Sequence, residues 1–156
     1  MTAKLYLGQR AVVRIDGEIS GYCIIGQGIR QGCFLCPLLF NLYIQYVINE
    51  ALEDIQEGVK VGGVLIPVIR FADHQAMVSH TVRGLQVIMD AMQDTSEKYN
   101  MRINTTKKTK IMRMSTVEGR TMKITVNGQN LERVKQFCYL GSVVTKDCRS
   151  CHDIRR

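Results

Sequence analysis

The sequence predicts an α+β fold, with helices layered on an antiparallel sheet. Three observations predict it. Two segments carry apolar residues at helical spacing, β-prone runs lie before, between and after them, and Asp-Gly and Asn-Gly dipeptides mark tight hairpins.

In chain order, Ala11–Ile15 and Ile19–Ile25 are short β-prone runs around Asp16-Gly17, a hairpin signal because aspartate and glycine tolerate the positive φ of a two-residue turn. Residues 26–32, with three glycines, read as a loop. Pro37 sits where the first turn of a helix tolerates a residue without an N–H. After it Leu38, Leu39, Leu42, Tyr43, Val47, Ala51 and Leu52 recur at helical spacing, which predicts a helix of roughly four turns ending near Glu57-Gly58. Val64–Phe71, interrupted by Pro67, and Ala76–Val78 predict a tight hairpin with Asp73 and His74 at its turn. Thr81 is a candidate N-cap for a second helix carrying Val82, Leu85, Ile88, Met89 and Met92 on one face and running to about Tyr99. A basic stretch, Lys107-Lys108-Thr109-Lys110, leads into Ile111–Met114. Asn127-Gly128 joins Met122–Val126 to Gln129–Leu131, and Phe137–Val144 reads as one more strand.

The chain has 156 residues, enough for one domain with a buried core. Apolar residues make up 46% and charged residues 22%, a globular composition. No repeat, low-complexity tract or linker marks a domain boundary, so residues 1–156 read as one domain. Lys and Arg total 21 against 14 acids, a net charge of +7 that suits a polyanion such as nucleic acid and equally a plain basic protein. No apolar run approaches the ~20 residues of a membrane span, and Met1–Arg10 lacks the apolar stretch of a secretory signal. The expected compartment is intracellular, cytoplasmic or nuclear, with no membrane partner and with the six cysteines as reduced thiols.

Four segments are more specific. Gly28-Ile29-Arg30-Gln31-Gly32-Cys33-Phe34-Leu35-Cys36-Pro37-Leu38-Leu39-Phe40-Asn41-Leu42 resembles the second palm motif of non-LTR (LINE-type) retrotransposon reverse transcriptases, a Gly-x-Arg-Gln-Gly…Ser-Pro-x-Leu-Phe-Asn pattern. Arg70-Phe71-Ala72-Asp73-His74 resembles the third motif, an aromatic-Ala-Asp-Asp hairpin. Asn104 with Lys107–Lys110 resembles the lysine-bearing fourth motif, and Phe137-Cys138-Tyr139-Leu140-Gly141-Ser142 resembles the primer-grip hairpin. Asp153-Ile154-Arg155-Arg156 is similar to the start of the thumb connection. The four motifs agree in order and rough spacing across nearly the whole chain.

The resemblance implies a palm-like antiparallel sheet packed against helices, a partial reverse transcriptase domain over residues 1–156 with the thumb connection starting near residue 150. It implies RNA-templated DNA synthesis, with an RNA template, a DNA primer and deoxynucleoside triphosphates as partners. Mg²⁺ would be the cofactor, held by three aspartates, because this hard cation takes carboxylate oxygens. Asp73 matches the first of the paired third-motif aspartates, as metal ligand and catalytic residue. The second position is His74, whose imidazole suits zinc or copper better than magnesium. The first motif belongs upstream of the Ala11–Ile25 hairpin, where only ten residues stand and none is Asp or Glu. Asp16 and Glu18 are poor substitutes, Asp16 being explained by its turn. The expectation is an incomplete fold, without fingers or first motif, and a chain that is catalytically dead alone. Arg30 matches a phosphate or template-backbone contact. Gln31 and Gly32 match the incoming-nucleotide pocket, together with Phe71 and Ala72, the small residue beneath the sugar. Lys108, with Lys107 as the adjacent alternative, matches the lysine that protonates pyrophosphate.

Two other patterns carry less. Cys148-Arg149-Ser150-Cys151-His152 spells a haem-attachment string without the exported context that chemistry requires. Cys33-x-x-Cys36 with Cys148-x-x-Cys151 contains enough thiolates for zinc, at a separation far beyond the usual ribbon.

Overall fold

The computed structural model describes residues 7–26, 32–72, 74–106, 108–115 and 122–147. Among them are two α-helices and fourteen short strands, an α+β content. The chain forms two compact units, Met1–Leu42 and Tyr43–Arg156.

In the first unit, β1 (Arg10–Ala11), β2 (Arg14–Ile15), β3 (Glu18–Ile19) and β4 (Cys23–Ile24) make the expected hairpin. Asp16 and Gly17 take φ +49° and +89° at its tip, the left-handed pair a two-residue turn needs. The ladder breaks between the β2–β3 and β1–β4 pairings. There Ser20 holds the strands together, its N–H donating to the Val13 carbonyl and its hydroxyl accepting from the Val13 N–H, each at 2.9 Å.

The first helix, α1 (Cys36–Leu52), has Pro37 in its opening turn and stops about five residues before the expected Glu57-Gly58. The buried positions also differ from expectation. Ile44, Val47, Ile48 and Ala51 are buried, whereas Leu38, Leu39, Leu42 and Tyr43 are exposed. This helix is apolar almost all round, so periodicity could not select its packed face.

In the second unit, β5 (Val59–Val61) and β6 (Val64–Ile66) form a hairpin that the sequence reading did not anticipate, turning at Gly62-Gly63. Pro67 ends β6, and β7 (Val68–Phe71) then pairs with β8 (His74–Met77). The second helix, α2 (Val82–Lys98), matches the expectation closely. Its N-cap Thr81 accepts from the Gly84 N–H at 2.9 Å, satisfying one of the unpaired first-turn donors. The chain continues through β9 (Lys110–Ile111), β10 (Thr125–Val126), β11 (Gln129–Asn130), β12 (Glu132–Arg133), β13 (Gln136–Tyr139) and β14 (Ser142–Thr145). Phe137–Val144 is thus a hairpin turning at Leu140-Gly141 rather than a single strand.

The strands do not form one antiparallel sheet among the described residues. They form seven two-stranded pairings, of which β9–β12 is parallel and carries the Lys110–Glu132 ion pair at 3.1 Å. The core lies between α2 and the segments after it. Met89 packs with Ile111, Met122, Ile124, Val126 and Leu131, and Met77, Leu85 and Ile103 close its margin.

Two polar devices hold this unit. Gln86 and Gln93 lie seven residues apart, hence on one face of α2, and act as substitute strand partners for β10 and its turn. The Gln86 amide donates to the Thr125 carbonyl at 2.8 Å and accepts from the Thr125 N–H at 3.0 Å. Gln93 accepts from the Asn127 N–H at 2.8 Å and donates to the Asn127 side chain. At the far end of α2, Glu50 accepts from the Lys98 ammonium and, at 2.5 Å, from the Tyr99 hydroxyl. Tyr43 and Tyr46 meet the Tyr99 ring edge-on, with centroids 6.0 and 5.9 Å apart. The Lys98 and Tyr99 donors hold the Glu50 carboxyl below its usual range. The Glu50 acceptor in turn raises Lys98 and raises Tyr99.

Candidate functional site

The third-motif residues stand on the β7–β8 hairpin. Its register pairs Val68 with Met77, Ile69 with Ala76, Arg70 with Gln75 and Phe71 with His74. His74, expected in the turn, is therefore the first residue of β8, directly across from Phe71. Strand alternation puts Val68, Arg70, Gln75 and Met77 on one face and Ile69, Phe71, His74 and Ala76 on the other. Met77 joins the margin of the core, which anchors the first face. The second face is open, with Phe71 63% and Ile69 52% exposed. Phe71 and the His74 imidazole thus stand side by side at the exposed tip.

Among the described residues, four hairpins close with two-residue turns whose second residue is a glycine with positive φ: Gly17, Gly63, Gly128 and Gly141. The β7–β8 turn has no glycine, and Ala72 takes φ +52°. A left-handed alanine costs about 1–2 kcal/mol. Such strain is kept where a turn must present particular side chains.

The remaining predicted residues are placed as follows. Gly32 is exposed with φ +80° and has open space where a Cβ would stand, so conformation rather than crowding favours glycine there. It belongs to the first unit, whereas Phe71 and Ala72 belong to the second. Lys108 is exposed just ahead of β9, beside a turn closed by the Thr109 N–H on the Asn104 carbonyl at 3.1 Å. Arg30, Gln31, Asp73 and Lys107 lie outside the described residues, as do Cys148–His152 and Asp153–Arg156. No group of three His, Cys, Asp or Glu side chains among the described residues is placed to hold a metal ion.

Tyr139 was not singled out from the sequence beyond its place in the primer-grip resemblance. Its hydroxyl reaches the Ile69 carbonyl of β7 at 3.4 Å, a long hydrogen bond that brings the β13–β14 hairpin to the flank of β7. Only the fold brings these residues together, because 70 positions separate them.

The sequence has counterparts among known proteins. The family described as reverse transcriptase (RNA-dependent DNA polymerase) matches residues 1–144, and the chain belongs to that family. Its relatives are mobile-element proteins. A stretch of 102 residues, 65% of the chain, is 30% identical to the Retrovirus-related Pol polyprotein from type-2 retrotransposable element R2DM of Drosophila melanogaster. The RNA-directed DNA polymerase from mobile element jockey is 24% identical over 89% of the chain in Drosophila funebris and 26% identical over 90% in Drosophila melanogaster. These matches agree with the non-LTR retrotransposon resemblance carried by the motifs. The matched stretches cover 10%, 15% and 16% of those proteins, so the chain corresponds to a small segment of each. No helix among the described residues is long and apolar enough to cross a membrane.

Proposed function

We propose that the chain is the palm-and-connection segment of a non-LTR reverse transcriptase, residues 1–156 forming one partial domain, and that on its own it holds nucleic acid without copying it. The parent activity would be RNA-templated DNA synthesis from deoxynucleoside triphosphates inside the cell.

The observation that carries the loss of catalysis is His74. It opens β8 across from Phe71, at the position that matches the second carboxylate of the family motif. Bound Mg²⁺ would activate the primer 3′-hydroxyl and stabilise the departing pyrophosphate. The residues present do not fit that ion. An imidazole replaces a carboxylate oxygen, and no described cluster of acids compensates. Asp73 is then the one matched metal ligand.

The parts concerned with substrate are better kept. Phe71 and Ala72 stand at the exposed tip in the order the nucleotide pocket calls for, and Gly32 has the backbone freedom for close approach to a ligand. Arg30 and Gln31 would complete the contacts to phosphate and nucleotide, and Lys108 would face pyrophosphate. The +7 charge suits a nucleic-acid partner.

The test is primer extension on an RNA template with Mg²⁺ and, separately, Mn²⁺, using protein shown by a cooperative melt to be folded. No incorporation is expected above an Asp73→Asn control, and none from His74→Asp, which restores only one carboxylate. Template-dependent extension by the unmodified chain would overturn this reading. Absence of salt-dependent binding to the same primer–template would favour the inert product.

A further inference from the structure

Cys33 and Cys36 are thiols at the entry to α1, with only Phe34 and Leu35 between them. The Leu35 carbonyl accepts from the Leu39 N–H at 2.9 Å, the first bond of the helix, so Cys36 is fixed as its opening residue. The chain bends at both Phe34 and Leu35. A bend over two central residues brings the first and fourth Cα atoms to about 7 Å or less, the range in which a disulfide of roughly 4.4–6.8 Å can close.

The two thiols differ in exposure. Cys36 is 3% exposed, whereas Cys33 is half-buried. Phe34 is fully exposed, and Gly32 has open space where a side chain would stand. Cys33 is therefore the thiol a small molecule reaches first, and Cys36 the one held behind it. Thiol–disulfide exchange needs this pairing, an accessible sulfur and a second thiol near enough to resolve the mixed disulfide. The exposed Cys23 and Cys138 lack it. Their cross-strand partners are Ala11 and Val143, so neither has a second thiol opposite it in its hairpin. In the motif pattern that this segment resembles, serine stands at the position of Cys36, so the pair is not part of the motif.

We propose that Cys33 and Cys36 form a redox-active dithiol, which a small-molecule disulfide such as glutathione disulfide closes into an intrachain bond. The Cys33 thiolate attacks one sulfur of the glutathione disulfide, forming a mixed disulfide and expelling one glutathione thiolate. The Cys36 thiolate then attacks the Cys33 sulfur and expels the second. The two cysteine thiols lose two protons and two electrons, and the glutathione disulfide takes them up as two thiols. In a reducing compartment the pair rests as two thiols and closes when the thiol pool is oxidised, as intracellular redox-sensing disulfides do. The closed ring spans the bend and fixes the entry of α1 against the loop that ends at Gly32. This inference concerns two thiols and an oxidant, and stands apart from the nucleic-acid reading.

The experiment equilibrates the full chain in mixtures of reduced and oxidised glutathione, quenches with acid, alkylates and digests with trypsin. Cleavage after Arg30 and Lys60 releases residues 31–60, which contain Cys33 and Cys36 and no other cysteine. That peptide should appear unalkylated and two hydrogens lighter than its dithiol form. Cys33→Ser or Cys36→Ser should abolish the lighter peptide, while Cys23→Ser and Cys138→Ser should leave it unchanged. The same equilibration in urea should give a smaller closed fraction, because the unfolded chain lacks the bend and the helix entry. Two separate glutathione adducts on the peptide, a cross-link to another cysteine, or thiols that stay reduced at every ratio would overturn the proposal. Equal closure in the folded and unfolded chain would overturn the claim that the fold brings the two sulfurs together.

Discussion

Removing the glutamine bridge from α2 to β10 gives a direct measure of what holds the second unit together. Gln86→Ala deletes two hydrogen bonds to the Thr125 backbone, at 2.8 and 3.0 Å. Gln93→Ala deletes one to the Asn127 N–H at 2.8 Å and one to its side chain. A protein hydrogen bond contributes about 0.5–1.5 kcal/mol net. These bonds are solvent-accessible, so water can replace them and the lower end applies. Each truncation should then cost about 1 kcal/mol, and the double variant about 2 kcal/mol. With a urea dependence of about 2 kcal/mol per molar, the double variant should unfold at a midpoint roughly 1 M lower. The thermal midpoint should fall by about 2–4 °C per kcal/mol. Gln86→Glu makes a sharper test. It keeps an acceptor for the Thr125 N–H but turns a carboxylate oxygen toward the Thr125 carbonyl, so its loss should be larger at neutral pH than at acid pH. Freeing the edge of β10 should also promote self-association. An unchanged urea midpoint for the double variant would refute the view that these side chains act as strand partners.

Other outcomes follow from the same geometry. Gly58→Ala should destabilise by about 2 kcal/mol or more in the same urea assay, because φ is +156° and a Cβ would stand 2.8 Å from the Ile66 carbonyl oxygen. Ala72→Gly should raise the melting point slightly, by the equivalent of about 0.5 kcal/mol, the relief of a left-handed alanine less glycine's entropy; a lower melting point would mean that the turn is not strained. Glu50→Gln should flatten the acid limb of the melting temperature against pH. The carboxyl is held below its ordinary 4.5, so its contribution is present above that value and is lost as pH falls through the lowered one. Lys98, raised above 10.5, contributes below that value and loses its contribution as pH climbs through the raised one, so Glu50→Gln should also blunt the alkaline limb.

How legible each feature was depends on the range of the forces behind it. The turns at Asp16-Gly17 and Asn127-Gly128 follow from residues that accept positive φ, and the cap at Thr81 from one hydroxyl three residues from its donor. Both are local, and the sequence alone specified them. Gly62-Gly63 carried an equally local signal, obscured when Val64–Phe71 was read as one run across Pro67. Propensity alone missed Leu140-Gly141, because leucine rarely opens such a turn, although the primer-grip resemblance implied a hairpin there. His74 was read into the turn rather than into β8 because register, which sets it across from Phe71, comes from pairing with β7.

The sequence by itself thus determined the family, through motifs in order, and the α+β class, through periodicity. Only the tertiary structure decided which face of α1 is buried, that β9 and β12 run parallel, that Gln86 and Gln93 bond a strand 34 or more residues away, and that Tyr139 reaches Ile69. The physical reason is that propensity and turn chemistry act over a few residues. Burial and cross-strand pairing depend on which distant segments meet, and an all-apolar helix or an exposed glutamine carries no record of its partner.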